Sequence, residues 1–185
     1  MSSQLDYEIN KELGECYLFM GELDRAEDYY KKAVGSNGVH PEPYLGLATI
    51  AVQRGDLEKA LTLYQKASEI EETDKSLTGM GLIEMEQGEY EQSFDHLSRA
   101  LNKNPENLVT LFAFVQVGHQ LGRLQEIVDP MHAYLEICPD NPDVRYSLAG
   151  CLVSLGRKDE ARKHLETILE QDPAHSSAEE LLGQL

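Results

Sequence analysis

Six histidines, three cysteines and several adjacent carboxylates are the residues of this 185-residue chain that could hold a metal, attack a carbonyl or pass a proton. Their spacing argues against all three. His40, His96, His119, His132, His164 and His175 form no HExxH pair, and none stands at ligand spacing from a cysteine, so no zinc site is indicated and each reads as a surface or edge residue. Cys16, Cys138 and Cys151 make no CxxC pair and are odd in number, a pattern of reducing compartments and not of disulfide frameworks. The pairs Glu71–Glu72 and Glu179–Glu180 lie in acidic, polar contexts, which suits a solvated face better than acid–base catalysis. Gly35-Ser36-Asn37-Gly38 has turn chemistry, and with no GxxxxGK[ST] or GxGxxG in the chain it is not a phosphate loop. No catalytic residue, metal ligand or cofactor is predicted, and the chain reads as a non-enzyme.

Charge narrows the partners. There are 33 acidic against 16 basic residues, a net charge of −17 spread along the chain. Such a surface repels phosphate backbones and anionic lipid, so neither nucleic acid nor a membrane surface is an expected ligand. With 41% hydrophobic and 26% charged residues the chain is too apolar to remain disordered. No apolar run approaches the ~18 residues that a membrane span needs, and Met1 to Asn10 is polar and acidic rather than an export signal. A cytoplasmic protein is expected.

The elements that position these residues follow from a repeat. Gly21, Gly55, Gly88, Gly122 and Gly156, each followed by a charged residue, stand 34, 33, 34 and 34 residues apart. A fixed period of this size is the mark of a repeat architecture. Leu13, Tyr17 and Met20 before the first glycine share one helical face, and Leu23, Ala26, Tyr30 and Ala33 after it share another. Each unit is therefore a helical hairpin. Pro105, Pro139 and Pro173, again 34 apart, stop the second helices, because proline cannot continue a helix and disfavours it in the residue before. No stretch alternates with period two, so eleven helices and no sheet are predicted.

These columns resemble those of the tetratricopeptide repeat (TPR) family. The pattern is carried by Leu13, Gly14, Tyr17, Gly21, Ala26, Tyr30 and Ala33; by Tyr44, Leu47, Ala48, Gly55, Ala60, Tyr64 and Ala67; by Met80, Gly81, Gly88, Leu97, Ala100 and Pro105; and by Leu148, Ala149, Gly156, Ala161, Leu165 and Pro173. Small residues let neighbouring helices approach while large ones fill the gaps between them. The resemblance covers about nine-tenths of the chain and implies an all-α, right-handed α-solenoid, one domain over 1–185. Its repeats are placed at 7–40, 41–73, 74–107, 108–141 and 142–175, with a capping helix at 176–185. Ser2 or Ser3 is expected to cap the first helix, Ser176 or Ser177 the last, whose Leu181 and Leu182 should face inward. Cys16 and Cys151, at equivalent places, should both face the packed interior. Repeat four departs from the pattern: Val115, Ile127 and Tyr134 hold small columns, Gly118 an aromatic one, and Pro130 interrupts the second helix, by volume exchange or by a kink.

The family's geometry lines a concave groove with the first helices. It implies Glu8, Lys11, Glu15 and Leu18 in repeat one, Leu45, Thr49 and Val52 in repeat two, and Lys75, Thr78, Leu82 and Met85 in repeat three. Repeat four supplies Val109, Phe112, Gln116 and His119, and repeat five supplies Asp143, Tyr146 and Val153. The middle of that wall is apolar in an acidic protein, which points to binding. TPR proteins that hold the acidic tails of chaperones use a Lys–Asn–Asn–Lys–Arg clamp. Lys11 and Lys75 fit the lysine places, but Glu15, Gly46 and Gly79 stand at the others, so a partner protein or peptide offering apolar anchors suits the wall better. The function implied is a non-enzymatic protein-interaction scaffold or adaptor that binds a partner's segment in the groove. The alternatives are a regulatory or substrate-selecting arm of a larger enzyme such as a glycosyltransferase, and a self-associating homo-oligomeric scaffold.

Overall fold

The structure is a computed structural model that describes residues 3–185, with side chains from Gln4 onward. The expected cap by Ser2 or the Ser3 side chain lies outside the described part. Eleven helices are present among the described residues, and no strand. They are α1 (Ser3–Phe19), α2 (Leu23–Ser36), α3 (Glu42–Gln53), α4 (Leu57–Ile70), α5 (Asp74–Gln87) and α6 (Tyr90–Lys103), then α7 (Leu108–Gln120), α8 (Leu124–Ile137), α9 (Pro142–Ser154), α10 (Lys158–Gln171) and α11 (Ser176–Gly183).

The periodic glycines make the turn inside each hairpin. All five sit at positive φ, from 69° at Gly122 to 83° at Gly88, a conformation costly for residues with a Cβ. In every case the amide after the glycine donates to a carbonyl five residues back: Glu22 to Tyr17, Asp56 to Ala51, Glu89 to Glu84, Arg123 to Gly118 and Arg157 to Leu152. This bond satisfies a carbonyl the helix end would otherwise strand and fixes the reversal. Three first helices are started by side-chain caps: Thr73 and Ser76 form a reciprocal capping box before α5, and Asn107 and Asn141 accept from Thr110 and Val144, whereas α3 starts at Pro41 without one.

The chain forms two compact units, one ending at Lys103 and the other spanning Asn104–Leu185. In the first, consecutive helices pack in chain order from α1 to α6, and small residues meet large ones at the interfaces. A Cβ on Gly14 would come 2.8 Å from the Tyr30 ring, and Cβ atoms on Gly46 and Gly79 would enter the rings of Tyr30 and Tyr64. Tyr30 thus lies between α1 and α3 because both present glycine to it. Gly81 admits Leu97 in the same way, and the buried Ser93 hydroxyl donates to the Gly81 carbonyl at 2.7 Å.

In the second unit Leu111, Phe114, Ile127, Met131, Leu148, Leu152, Leu165 and Ile168 form a fully buried core. Helix α8 runs through Pro130 without a break, which corrects the expected interruption. The departures of this hairpin stay inside: Val115, Ile127 and Tyr134 are buried, as is Gly118. Helix α11 packs on α10. Its cap is the ring of His175, whose Nδ1 accepts from the Ala178 amide at 3.2 Å, not Ser176 or Ser177. The side chain it buries fully is Ala178, while Leu181 and Leu182 are only half-buried, because a two-turn helix on one neighbour shields only its nearest column.

Cys16 requires a second correction. Cys151 is buried, but Cys16 is exposed. The two share a repeat column, and the difference is that no helix among the described residues covers that side of α1.

Candidate interaction surfaces

In the unit ending at Lys103, the inner-wall residues fall on α3 and α5 at spacings of three and four, which aligns them on one face. Leu45, Thr49, Leu82 and Met85 are half-buried, and Val52 is 40% exposed. The Thr49 hydroxyl donates to the Leu45 carbonyl at 3.0 Å, so its hydrogen bond is satisfied within its own helix. Thr78, at the same spacing, is buried at 8% exposure and is withdrawn from the wall. Lys75 is exposed and forms no ion pair among the described residues.

Lys11 is not a free cation. Its ammonium lies 3.1 Å from Glu12 and 3.4 Å from Glu8, and the hydrogen bond to Glu12 leads a shift of its pKa above the ordinary lysine value against the pull of burial. Lys11 stays an ammonium, paired with two carboxylates and four residues from Glu15, a poorer place for an acidic tail than the two lysines of a full clamp, in line with the incomplete clamp read from sequence.

In the unit from Asn104, α7 presents Val109 at 62% and Phe112 at 38% exposure, with Gln116 and His119 exposed on the same helix. Tyr146 of α9 is half-buried and its ring tilts against His175 at 5.8 Å between centroids. Tyr146 therefore has a packing partner within the chain.

Chemistry by a nucleophile is disfavoured by the same geometry. The Cys151 sulfur lies 3.4 Å from His119 Nε2, a thiol beside a base, but burial pushes that thiol up to about 11, opposite to what an activated cysteine needs. Among the described residues no group of three or more His, Cys, Asp or Glu is placed to hold a metal ion, and no helix is long and apolar enough to cross a membrane.

Sequence reasoning missed three sets of residues. Glu27, at 12% exposure, receives Lys31 at 2.9 Å, Lys59 at 3.4 Å and the Arg54 guanidinium, and these bonds hold its carboxyl down at about 2. His96 meets the buried Glu84 at 2.7 Å, and His164 packs against Arg145 and His132, so both are half-buried residues with partners within the chain. Burial, then the neighbouring His132 and Arg145, push His164 down to about 4. The third set is an apolar stripe on the outer side of α1, Leu5, Ile9 and Phe19 with Met20 just beyond. Its signal was present in the sequence as a second apolar face on a helix that needed only one.

Glycine-hinged helical hairpins packed in chain order, with apolar side chains left open along the first helices, define an all-α solenoid of the interaction-scaffold class. The chain belongs to the tetratricopeptide repeat family, whose profiles match residues 11–73 and 131–185. It is 36% identical over 112 residues to the BBSome complex member BBS4 of Bos taurus, covering 60% of this chain and 21% of that protein. The Tetratricopeptide repeat-containing protein trd-1 of Caenorhabditis elegans is 23% identical over 163 residues, 87% of this chain and 20% of that one. The chain thus spans about a fifth of the length of these relatives. Among solved structures, PilF of Pseudomonas aeruginosa superimposes with a TM-score of 0.74 at 19% identity, covering 97% of this chain and 82% of that one. YrrB, a TPR protein with an unusual peptide-binding site, gives 0.70 at 20% identity over 91% and 88%. Proteins of this family generally serve as non-catalytic scaffolds for protein–protein contact.

Proposed function

We propose that the chain is a non-enzymatic adaptor that binds an apolar-anchored segment of a partner protein on the inner faces of its first helices and so helps assemble a complex. The observation that carries this reading is the apolar surface left open on first helices within each unit, Val52 on α3 in the one and Val109 and Phe112 on α7 in the other, on a molecule of net charge −17. Apolar side chains exposed on an otherwise charged surface mark interaction sites, and large desolvatable residues carry most of the binding energy. The repeat frame of five hairpins over 7–175 and a closing helix belongs to the same reading. The likeness to a BBSome complex member and to a peptide-binding TPR protein supports it.

The test is selection of peptides from a displayed random library on the purified chain. Enriched peptides should carry leucine-like or aromatic anchors, and Leu82→Ser or Phe112→Ser should weaken them by ~2 kcal/mol with helicity retained. Selected peptides that bind both variants as they bind the parent would move the site off these helices.

A further inference from the structure

The most exposed apolar side chains near one another in sequence lie outside that inner face. On α1, at 100° per residue, Leu5, Ile9, Glu12, Cys16 and Phe19 fall within an arc of about 80°, opposite Tyr7 and Gly14, which face the core. Phe19 is 94% exposed and Met20, just past the helix, 66%. Phe19 breaks the repeat pattern, since its column holds the exposed polar residues Gln53, Glu86, Gln120 and Ser154 in the other hairpins.

The molecule itself shows what covers this side of a first helix. The column of Cys16 continues in Ile50 and Ile83. Ile50 packs in a cluster with Ala26 and Tyr30 of α2, and Ile83 packs with Ala60 of α4, with Tyr64 against the same cluster. In both cases the cover is an amphipathic helix presenting a small residue and an aromatic four positions later. Charge at such a joint is complementary: Glu27 of α2 holds Arg54 and Lys59 from the next hairpin.

On α1 the carboxylates are all on one partner. Glu8 and Glu15 line one margin of the stripe, Asp6 the other, and Glu12 stands within it. The single cation of the helix, Lys11, is already held between Glu8 and Glu12. A second copy would bring the same carboxylates to the joint, and α11 of another copy would bring Glu179 and Glu180 with no basic residue.

We propose that the outer face of α1 is a docking surface for an amphipathic helix of a partner protein, one with a small-and-aromatic stripe flanked by lysine or arginine. Leu5, Ile9, Cys16 and Phe19 receive the stripe, and Asp6 and Glu15 at its two margins pair with the flanking cations.

The probe is a fluorescein-labelled synthetic 18-residue helix with alanine and tyrosine at i and i+4 and lysine flanks, titrated with the full chain by anisotropy. It should saturate, weaken as salt rises, and perturb α1 amides in NMR spectra. The variant Ile9→Glu/Phe19→Ser, at exposed positions and checked for helicity, should lower affinity tenfold or more, while Ile137→Ser on α8 should leave it unchanged. Absence of saturation, equal binding of a glutamate-flanked helix, unchanged affinity in the double variant, or perturbation of the inner faces of α3 and α5 instead of α1 would each overturn the proposal. So would a sedimenting dimer of the parent chain that the double variant dissolves, since the occupant would then be a second copy. Groove binding by library-selected peptides is scored separately on Leu82→Ser and Phe112→Ser, so the two readings fail independently.

Discussion

Cys16 and Cys151 hold the same column of the repeat, yet one is exposed and the other buried. Both lie on a first helix, one position past a carboxylate or a glycine, and nothing in their local sequence separates them. What differs is the neighbour. Cys151 lies against α7, where His119 reaches its sulfur, whereas the corresponding side of α1 carries no helix among the described residues. A column in a repeat therefore specifies a direction, and only the adjacent helix turns that direction into burial.

The largest expected effect that can break this comparison is chemical. At pH 8 a thiol pushed up to about 11 is ionised to about one part in a thousand, and burial blocks access as well. Cys16 should react with a disulfide reagent as an exposed thiol does, and Cys151 at least a hundredfold more slowly. Equal rates in the native protein would show that Cys151 is open.

Stability should separate the two environments next. Ile50→Ala in the covered part of the column should cost ~2 to 5 kcal/mol, while Cys16→Ala should stay within ~0.5 kcal/mol, as read from urea midpoints. A large loss on changing Cys16 would mean that its side of α1 is covered in solution.

The electrostatic joint between hairpins is smaller in scale. Glu27→Gln removes the acceptor of Arg54, Lys31 and Lys59 and should cost about 1 kcal/mol, the scale of a partly screened network. Because the carboxyl is held at about 2 in the fold, against an ordinary value near 4, the contribution is present above pH 4.5 and is lost as pH falls towards 2. Parent and variant should then converge in melting temperature across that window.

The smallest effect belongs to His164. Its folded value of about 4 lies below the ordinary ~6.5, so the unfolded chain binds the extra proton first. The stability of neutral His164 is complete above pH 6.5 and declines as pH falls through 4. Relative to His164→Gln, the parent should lose stability between pH 6.5 and 4. A parallel pair of curves would place the imidazole in water.

Much of the architecture was legible because it depends on near neighbours. Gly21 and its four counterparts announce the hairpin turns, since a left-handed residue is required there and few residues tolerate it. The glycines at 14, 46 and 79 announce close helix contacts, and Tyr30 and Tyr64 fill them. The inner-wall residues, taken from the geometry of the family that the chain resembles, lie on the first helix of each hairpin. Thr78 and Tyr146 were read as available, but Thr78 is buried and Tyr146 meets His175 from beyond its own helix, whereas Lys11 is held by Glu8 and Glu12 of its own turn, partners that the sequence already placed beside it. The caps divide in the same way: the Asn107 and Asn141 caps are local, while His175 took a role assigned to Ser176 or Ser177 because its ring reaches the Ala178 amide.

The helices, their turns, the period and the charge could be read from the chain alone, because each follows from bonds and sterics within a few residues or from composition. Packing between helices settled which of two equivalent cysteines is buried, that Thr78 is withdrawn, and that the outer face of α1 stands open. These are properties of contact between elements far apart in the chain, and a repeat that writes the same column into every hairpin cannot say which hairpin has a neighbour.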